Sequence, residues 1–408
     1  KYKVGIIIYL IAGVAVFSEL FAGIIMGSLL EPIYLAARTF LAFSMFFSVT
    51  RIVQSVEDVT KLAKSALFGA LISAGFLVLT SLPFTRGLVA SYIFSLSFLE
   101  PAVEAAEALA DSEFAIRGRS LIAVSILSGA FLNTVWPIIL YIRGLKNNPK
   151  KIQTLLVIAS VIIPISVVMT YSRGAILGLL MVVLGILVYN GGKSRGLIIA
   201  GVTAVLIIFS TVGWDSELFY FERLTNSTAR IFEDNQGEEN RSETERKYAY
   251  TEPFQHVAEN PLFLFFGQGF ARDKVGTNLL TAGRGKATHA VFAKAYYAYG
   301  MIVALLYLIL LFYAISVTLS YARRKSNYAT SFSRALLASL LGLFPWFMLG
   351  HAAVSTTRGG IMLFFVLGLV AAQSSIHNSE KMKAWFFKYK LPQILKKRKE
   401  REELAKAS

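Results

Sequence analysis

Five residues of this sequence have the types and positions that chemistry needs. Arg173 stands in "MTYSRGAILGLL" (169–180), at a bend between two runs otherwise suited to lipid. A guanidinium keeps its charge and offers a planar fork that fits phosphate oxygens bidentately, so Arg173 is either a headgroup anchor or part of an anion site. Arg246, in "RSETERKYAY" (241–250), precedes Tyr250 by four residues and shares a helix face with it; it binds an anion or pairs with Glu243 or Glu245. His289, in "GRGKATHAVFAKAYYAYG" (283–300), carries the side chain best suited to take a proton from a hydroxyl near neutral pH, or it simply opens a helix. Arg358, in "STTRGG", and Arg38 are further cations at or near span ends. For Arg38 the default is an ion pair with Glu19 at similar depth on an adjacent helix; the alternative is an anionic groove.

The elements that would position these residues are membrane spans. Of 408 residues 55% are hydrophobic, more apolar surface than a water-soluble domain of this size hides. Runs long enough to cross a bilayer as helices occur near 4–25, 32–50, 65–82, 121–142, 152–170, 175–190, 197–214, 291–320, 335–354 and 361–376. The expected fold is an all-α polytopic membrane protein of about 10–12 transmembrane helices with one large external loop. Residues 83–120 read as a re-entrant or interfacial piece followed by an acidic helix.

Net charge +16 suggests nucleic acid until the charges are located. They collect in "KLAK" (61–64), "RGLKNNPKK" (143–151), "GGKSRG" (191–196), "ARRKS" (322–326) and "KKRKER" (396–401), which fall on one side if the chain starts in the cytoplasm. This is the positive-inside signature, and no nucleic-acid partner is expected. Membrane lipids are the expected partner of the basic tail, with Trp385, Phe386 and Phe387 upstream. Cysteine is absent, which excludes disulfides and thiol chemistry. The organisation expected is 1–214, N-terminal transmembrane helices; 215–288, a large external loop; 289–376, C-terminal transmembrane helices; and 377–408, a basic cytoplasmic tail. Arg173, Arg246 and His289 then share the outer interface.

The order of motifs resembles a family. "SRGA" between two spans, a long outer loop with Arg-x-x-x-aromatic, Asn260-Pro261 followed by Gly267-x-Gly269, and a late histidine before the next span are similar to the O-antigen ligase and polymerase superfamily of membrane glycosyltransferases. The resemblance covers roughly residues 120 to 376. It implies a GT-C-like membrane fold in the bacterial inner (plasma) membrane, with the active site facing the periplasm. It also implies a donor glycan on undecaprenyl diphosphate and an acceptor hydroxyl on lipid A core or another glycan. Carried over by position, Arg173 and Arg246 bind the donor diphosphate, with Arg358 and Arg38 as further contributors, and His289 is the catalytic base. The family often has His-Asn where this chain has His289-Ala290, so any contact from that amide is missing.

The implied chemistry suits these residues. A lipid diphosphate is already a good leaving group, so the protein must neutralise it, position the anomeric carbon and activate an acceptor. Arginines stabilise charge on the departing oxygen as a divalent metal does elsewhere, and neither metal nor cofactor is expected. Direct displacement inverts the anomeric configuration. The ligase branch is favoured because one outer loop dominates; a polysaccharide polymerase acting on lipid-linked repeat units and, in another class, a membrane solute transporter are the alternatives. Against transport, the spans hold few ionisable residues beyond Glu19 and Arg38.

Overall fold

The structure, a computed structural model, describes residues 2–26, 30–81, 85, 125–145, 148–170, 172–189, 265, 295–296, 298–324, 327–349 and 357–393. All regular structure among them is helical: α1 (Tyr2–Met26), α2 (Leu30–Ile52), α3 (Val56–Ser81), α4 (Ser125–Arg143), α5 (Lys150–Val168), α6 (Arg173–Tyr189), α7 (Met301–Ala322), α8 (Tyr328–Leu349) and α9 (Thr357–Trp385), which runs on into a π-helical turn at Phe386–Lys390. Each helix overlaps an expected span. The expected span at 197–214, residues 83–120 apart from Thr85, and the loop 215–288 apart from Phe265 lie outside the described residues.

Apolar composition and outward exposure go together in α1, α3, α5 and α7, whereas the apolar stretch of α9 is largely buried in the bundle. Among the described residues, α1, α3, α5, α7 and α9 contain stretches long and apolar enough to cross a membrane. Ile6, Leu10, Phe68, Ile72, Ile158 and Phe312 are exposed on these helices, as expected of side chains that meet acyl chains rather than protein. The protein is an all-α polytopic membrane protein. In contrast, α4 and α8 sit centrally: α4 packs on α3, α5, α6 and α8, and α8 packs on α4, α6, α7 and α9. Surrounded by protein, they tolerate buried Ser128, Asn133, Thr134, Thr330, Ser333 and Ser339. Their hydroxyls are satisfied locally and between helices, as where Ser339 Oγ donates to the Thr134 carbonyl at 2.7 Å. Pro164 inside α5 cannot donate to the Ser160 carbonyl, and Trp136 Nε1 of α4 donates to that oxygen at 3.1 Å instead.

Helix ends are set by the sequence. Ser55 opens α3 with its Oγ accepting the Asp58 amide at 3.3 Å, while Asp58 Oδ2 accepts the Ser55 amide at 2.9 Å; this reciprocal pair is a capping box. At Gly300 φ is 90°, a conformation that side-chain-bearing residues avoid. The span expected from 291 to 320 is therefore interrupted, and α7 starts afresh at Met301.

Small residues bring α6 against α8. A Cβ at Gly178 would lie 2.6 Å from the Gly342 carbonyl oxygen and 2.7 Å from Asn133 Nδ2, whereas a Cβ at Gly174 would meet nothing within 4 Å. Backbone cannot swing aside as a side-chain tip can. Gly178→Ala is therefore expected to destabilise the protein by about 1–3 kcal/mol, and Gly174→Ala to leave the thermal midpoint nearly unchanged. Equal midpoints for the two variants in detergent would contradict this packing.

Contacts between helices fix their directions. Gly178 faces Gly342 and Gly185 faces Ala338, so α6 and α8 are antiparallel. Ser333 on α8 meets His377 on α9 (Oγ to Nε2, 3.1 Å), which makes α9 antiparallel to α8. On α2, Phe43 touches Phe364 with ring centroids 4.2 Å apart, and Val49 faces Gly368, so α2 and α9 are parallel. The N-termini of α2, α6 and α9 consequently share one end of the bundle. The opposite end carries Arg51, Arg143 and Arg324, the end that the positive-inside rule expects on the cytoplasmic side. Single cysteines placed at Asn235 and Gln393 of this cysteine-free chain are expected to label from opposite faces of the membrane. Labelling of both from the periplasm would reverse the arrangement.

Candidate functional site

The bend that carries Arg173 is built by two short polar side chains. Thr170 Oγ1 donates to the Val167 carbonyl at 2.7 Å, closing α5, and accepts the Ser172 amide at 3.3 Å. Ser172 is the N-cap of α6: its Oγ accepts the Ala175 amide at 3.4 Å and its carbonyl accepts the Ile176 amide at 2.9 Å. Arg173 is thus the first residue of α6, and that helix has no acidic residue in its first turn. A cation here adds to the positive end of the helix macrodipole, an arrangement that costs stability on its own and favours a bound anion. The Arg173 side chain lies outside what the structure describes.

Two neighbours hold this bend in place. Ser81, the last residue of α3, donates through Oγ to the Met169 carbonyl at 3.3 Å. Asn133 of α4 donates through Nδ2 to the Ala175 carbonyl at 2.7 Å. Asn133 is buried, and its Oδ1 has no hydrogen-bond partner among the described residues. Sequence reading passed over Asn133; an amide within an apolar run gave no signal of its target. Asn133→Leu preserves bulk and deletes the donor. It is expected to lower activity about 10- to 100-fold by loosening the start of α6, with only about 1 kcal/mol lost in stability. Unchanged turnover would reduce Asn133 to a packing residue.

Arg358 is the second residue of α9, whose first turn likewise lacks an acid. The contacts Phe43–Phe364 and Val49–Gly368 extrapolate along the parallel helices to bring the backbone of Arg38 level with residues 357–359, beside Arg358 on α9. The Tyr9–Phe47 ring contact (4.7 Å) similarly puts buried Glu19 of α1 level with Arg38, as the expected pairing requires. The side chains of Arg38 and Arg358 lie outside what the structure describes. So do Arg246 and His289 entirely. The segment that follows His289 is partly visible: the Tyr299 hydroxyl lies 3.4 Å from Thr39 Oγ1, one residue from Arg38 on α2. Tyr299, just before α7, therefore lies against α2 beside Arg38. Of the other histidines, His377 is buried, hydrogen-bonded to Ser333 and packed at a tilt against the Tyr321 ring with centroids 4.6 Å apart, which accounts for it structurally.

The backbones of three of the five candidate residues, Arg173, Arg38 and Arg358, are thus at one end of the bundle, and Tyr299, ten residues after His289, lies there too. Comparison with curated proteins found no match. A family model described as O-antigen ligase matches residues 158–308. That segment spans the end of α5, the capped bend, Arg173, Arg246, His289 and the start of α7, and leaves out Arg38 and Arg358. Over that segment, about a third of its length, the chain is similar to the O-antigen ligase family.

Proposed function

We propose that this protein transfers a glycan from undecaprenyl diphosphate to a hydroxyl of an acceptor glycan at the periplasmic face of the inner membrane, as an O-antigen ligase acting on lipid A core. The observation that carries the reading is Arg173 at the acid-free N-terminus of α6, inside the matched segment and at the same end as Arg38 and Arg358. Helix N-termini bearing arginines suit a diphosphate, whose charge grows as the glycosidic bond breaks.

In this mechanism Arg173 and Arg246 grip the diphosphate, and Arg358 and Arg38 contribute charge from the adjoining helices. His289 takes the proton of the acceptor hydroxyl as that oxygen attacks the anomeric carbon from the face opposite the leaving group. Configuration inverts, the carrier departs as its diphosphate, and the arginines do the work of a metal.

The experiment is the surface polysaccharide of a deletion strain. Ligase activity predicts lipid A core without long chains, with polymerised glycan retained on its carrier. Core capped by single repeat units would instead assign the polymerase role, and an unaltered polysaccharide would remove the protein from this chemistry.

A further inference from the structure

At the end of the bundle opposite the arginine cluster, α9 does not stop with its apolar stretch. It continues through Lys381, Met382, Lys383 and Trp385 into the π-helical turn Phe386–Lys390. Met382 is 68% exposed, Trp385 56% and Phe387 63%. Lys381 and Lys390 are exposed among them.

Among the described residues, the acids beside this surface are already engaged. Glu57 of α3 and Glu380 of α9 both pair with Lys383, and Asp58 is held in the capping box of α3. The Lys383–Glu57 pair also ties this part of α9 to the start of α3, so the aromatic segment leaves the bundle in a fixed direction. What remains among the described residues is an apolar strip edged by unpaired positive charge, and the following sequence "KKRKEREE" (396–403) carries five basic residues against three acids. Aromatic rings favour the interfacial zone of a bilayer, and clustered lysines favour anionic headgroups.

We infer that the segment from Lys381 to Lys390 is a binding surface for anionic phospholipid, seating Trp385 and Phe387 among the acyl chains near the headgroups while Lys381 and Lys390 contact headgroup phosphates. Simple burial of aromatics in any bilayer would need no anionic lipid. Charge complementarity is what distinguishes the two.

The test uses the full chain in nanodiscs, with Gln393→Cys as its single cysteine carrying an environment-sensitive fluorophore. Emission is expected to shift to the blue in discs containing phosphatidylglycerol relative to phosphatidylcholine alone, and the shift is expected to reverse in high salt. Each lysine near an anionic surface contributes about five-fold, so Lys381→Gln with Lys390→Gln is expected to weaken the docking equilibrium, read from the ratio of shifted to unshifted emission, on the order of 30-fold. Identical emission in both lipids, or a shift indifferent to salt, would overturn the inference whatever the double variant does.

Discussion

Arg173→Lys is expected to lower glycan transfer about 10²- to 10³-fold, the range found when one donor to a developing oxyanion is removed. The substitution keeps the charge, so the loss isolates geometry: an ammonium is a point charge and cannot present two parallel N–H groups to one phosphate. Folding should survive. The bend is held by Ser172, Thr170, Asn133 and Ser81, none of which needs the guanidinium. Thermal midpoint and chromatographic behaviour in detergent are the checks on that point. Because the charges assigned to the leaving group are arginines, transfer is also expected to persist in a strong chelator. Full activity of the lysine variant would make Arg173 a headgroup anchor.

His289→Ala is expected to cut turnover about 10²- to 10⁴-fold, the usual worth of general base catalysis, while donor binding stays nearly intact. The separation follows from the proposed division of labour, in which arginines hold the diphosphate and the imidazole acts only on the acceptor proton. In the wild type the rate should fall at low pH as the imidazole takes up a proton and ceases to be a base. The residual activity of the variant should lose that dependence. His256→Ala is the control and should change little. Donor binding lost as severely as in Arg173→Lys would move His289 from base to donor contact.

Much of this architecture was legible in the sequence, because lipid makes helices announce themselves. A stretch such as 301–322 has to satisfy its backbone internally and can do so only as a helix. The bend at Arg173 was equally readable, since a charge between two apolar runs marks a span boundary. Helix interruption at Gly300 was not, because a glycine inside an apolar run looks the same whether it eases packing or breaks the helix. Nor was the bond from Asn133 to Ala175, which joins residues 42 positions apart and depends on how α4 meets α6. The level match of Arg38 with Arg358 is of the same kind: the sequence put both near the outer side, but only the parallel packing of α2 on α9 makes them neighbours in depth. Spans are local, whereas a site of the proposed kind, drawing on three helices and a loop, would be set by tertiary contacts.

The most direct test supplies the purified protein with an undecaprenyl-diphosphate-linked glycan and a lipid A core acceptor, and follows the acceptor's mass and the anomeric configuration of the new linkage. The proposed function predicts a glycosylated acceptor with inverted configuration, release of the carrier diphosphate, and loss of both in Arg173→Lys. Donor binding without turnover, under conditions where the protein is folded, would contradict it and leave an assembly partner in place of an enzyme.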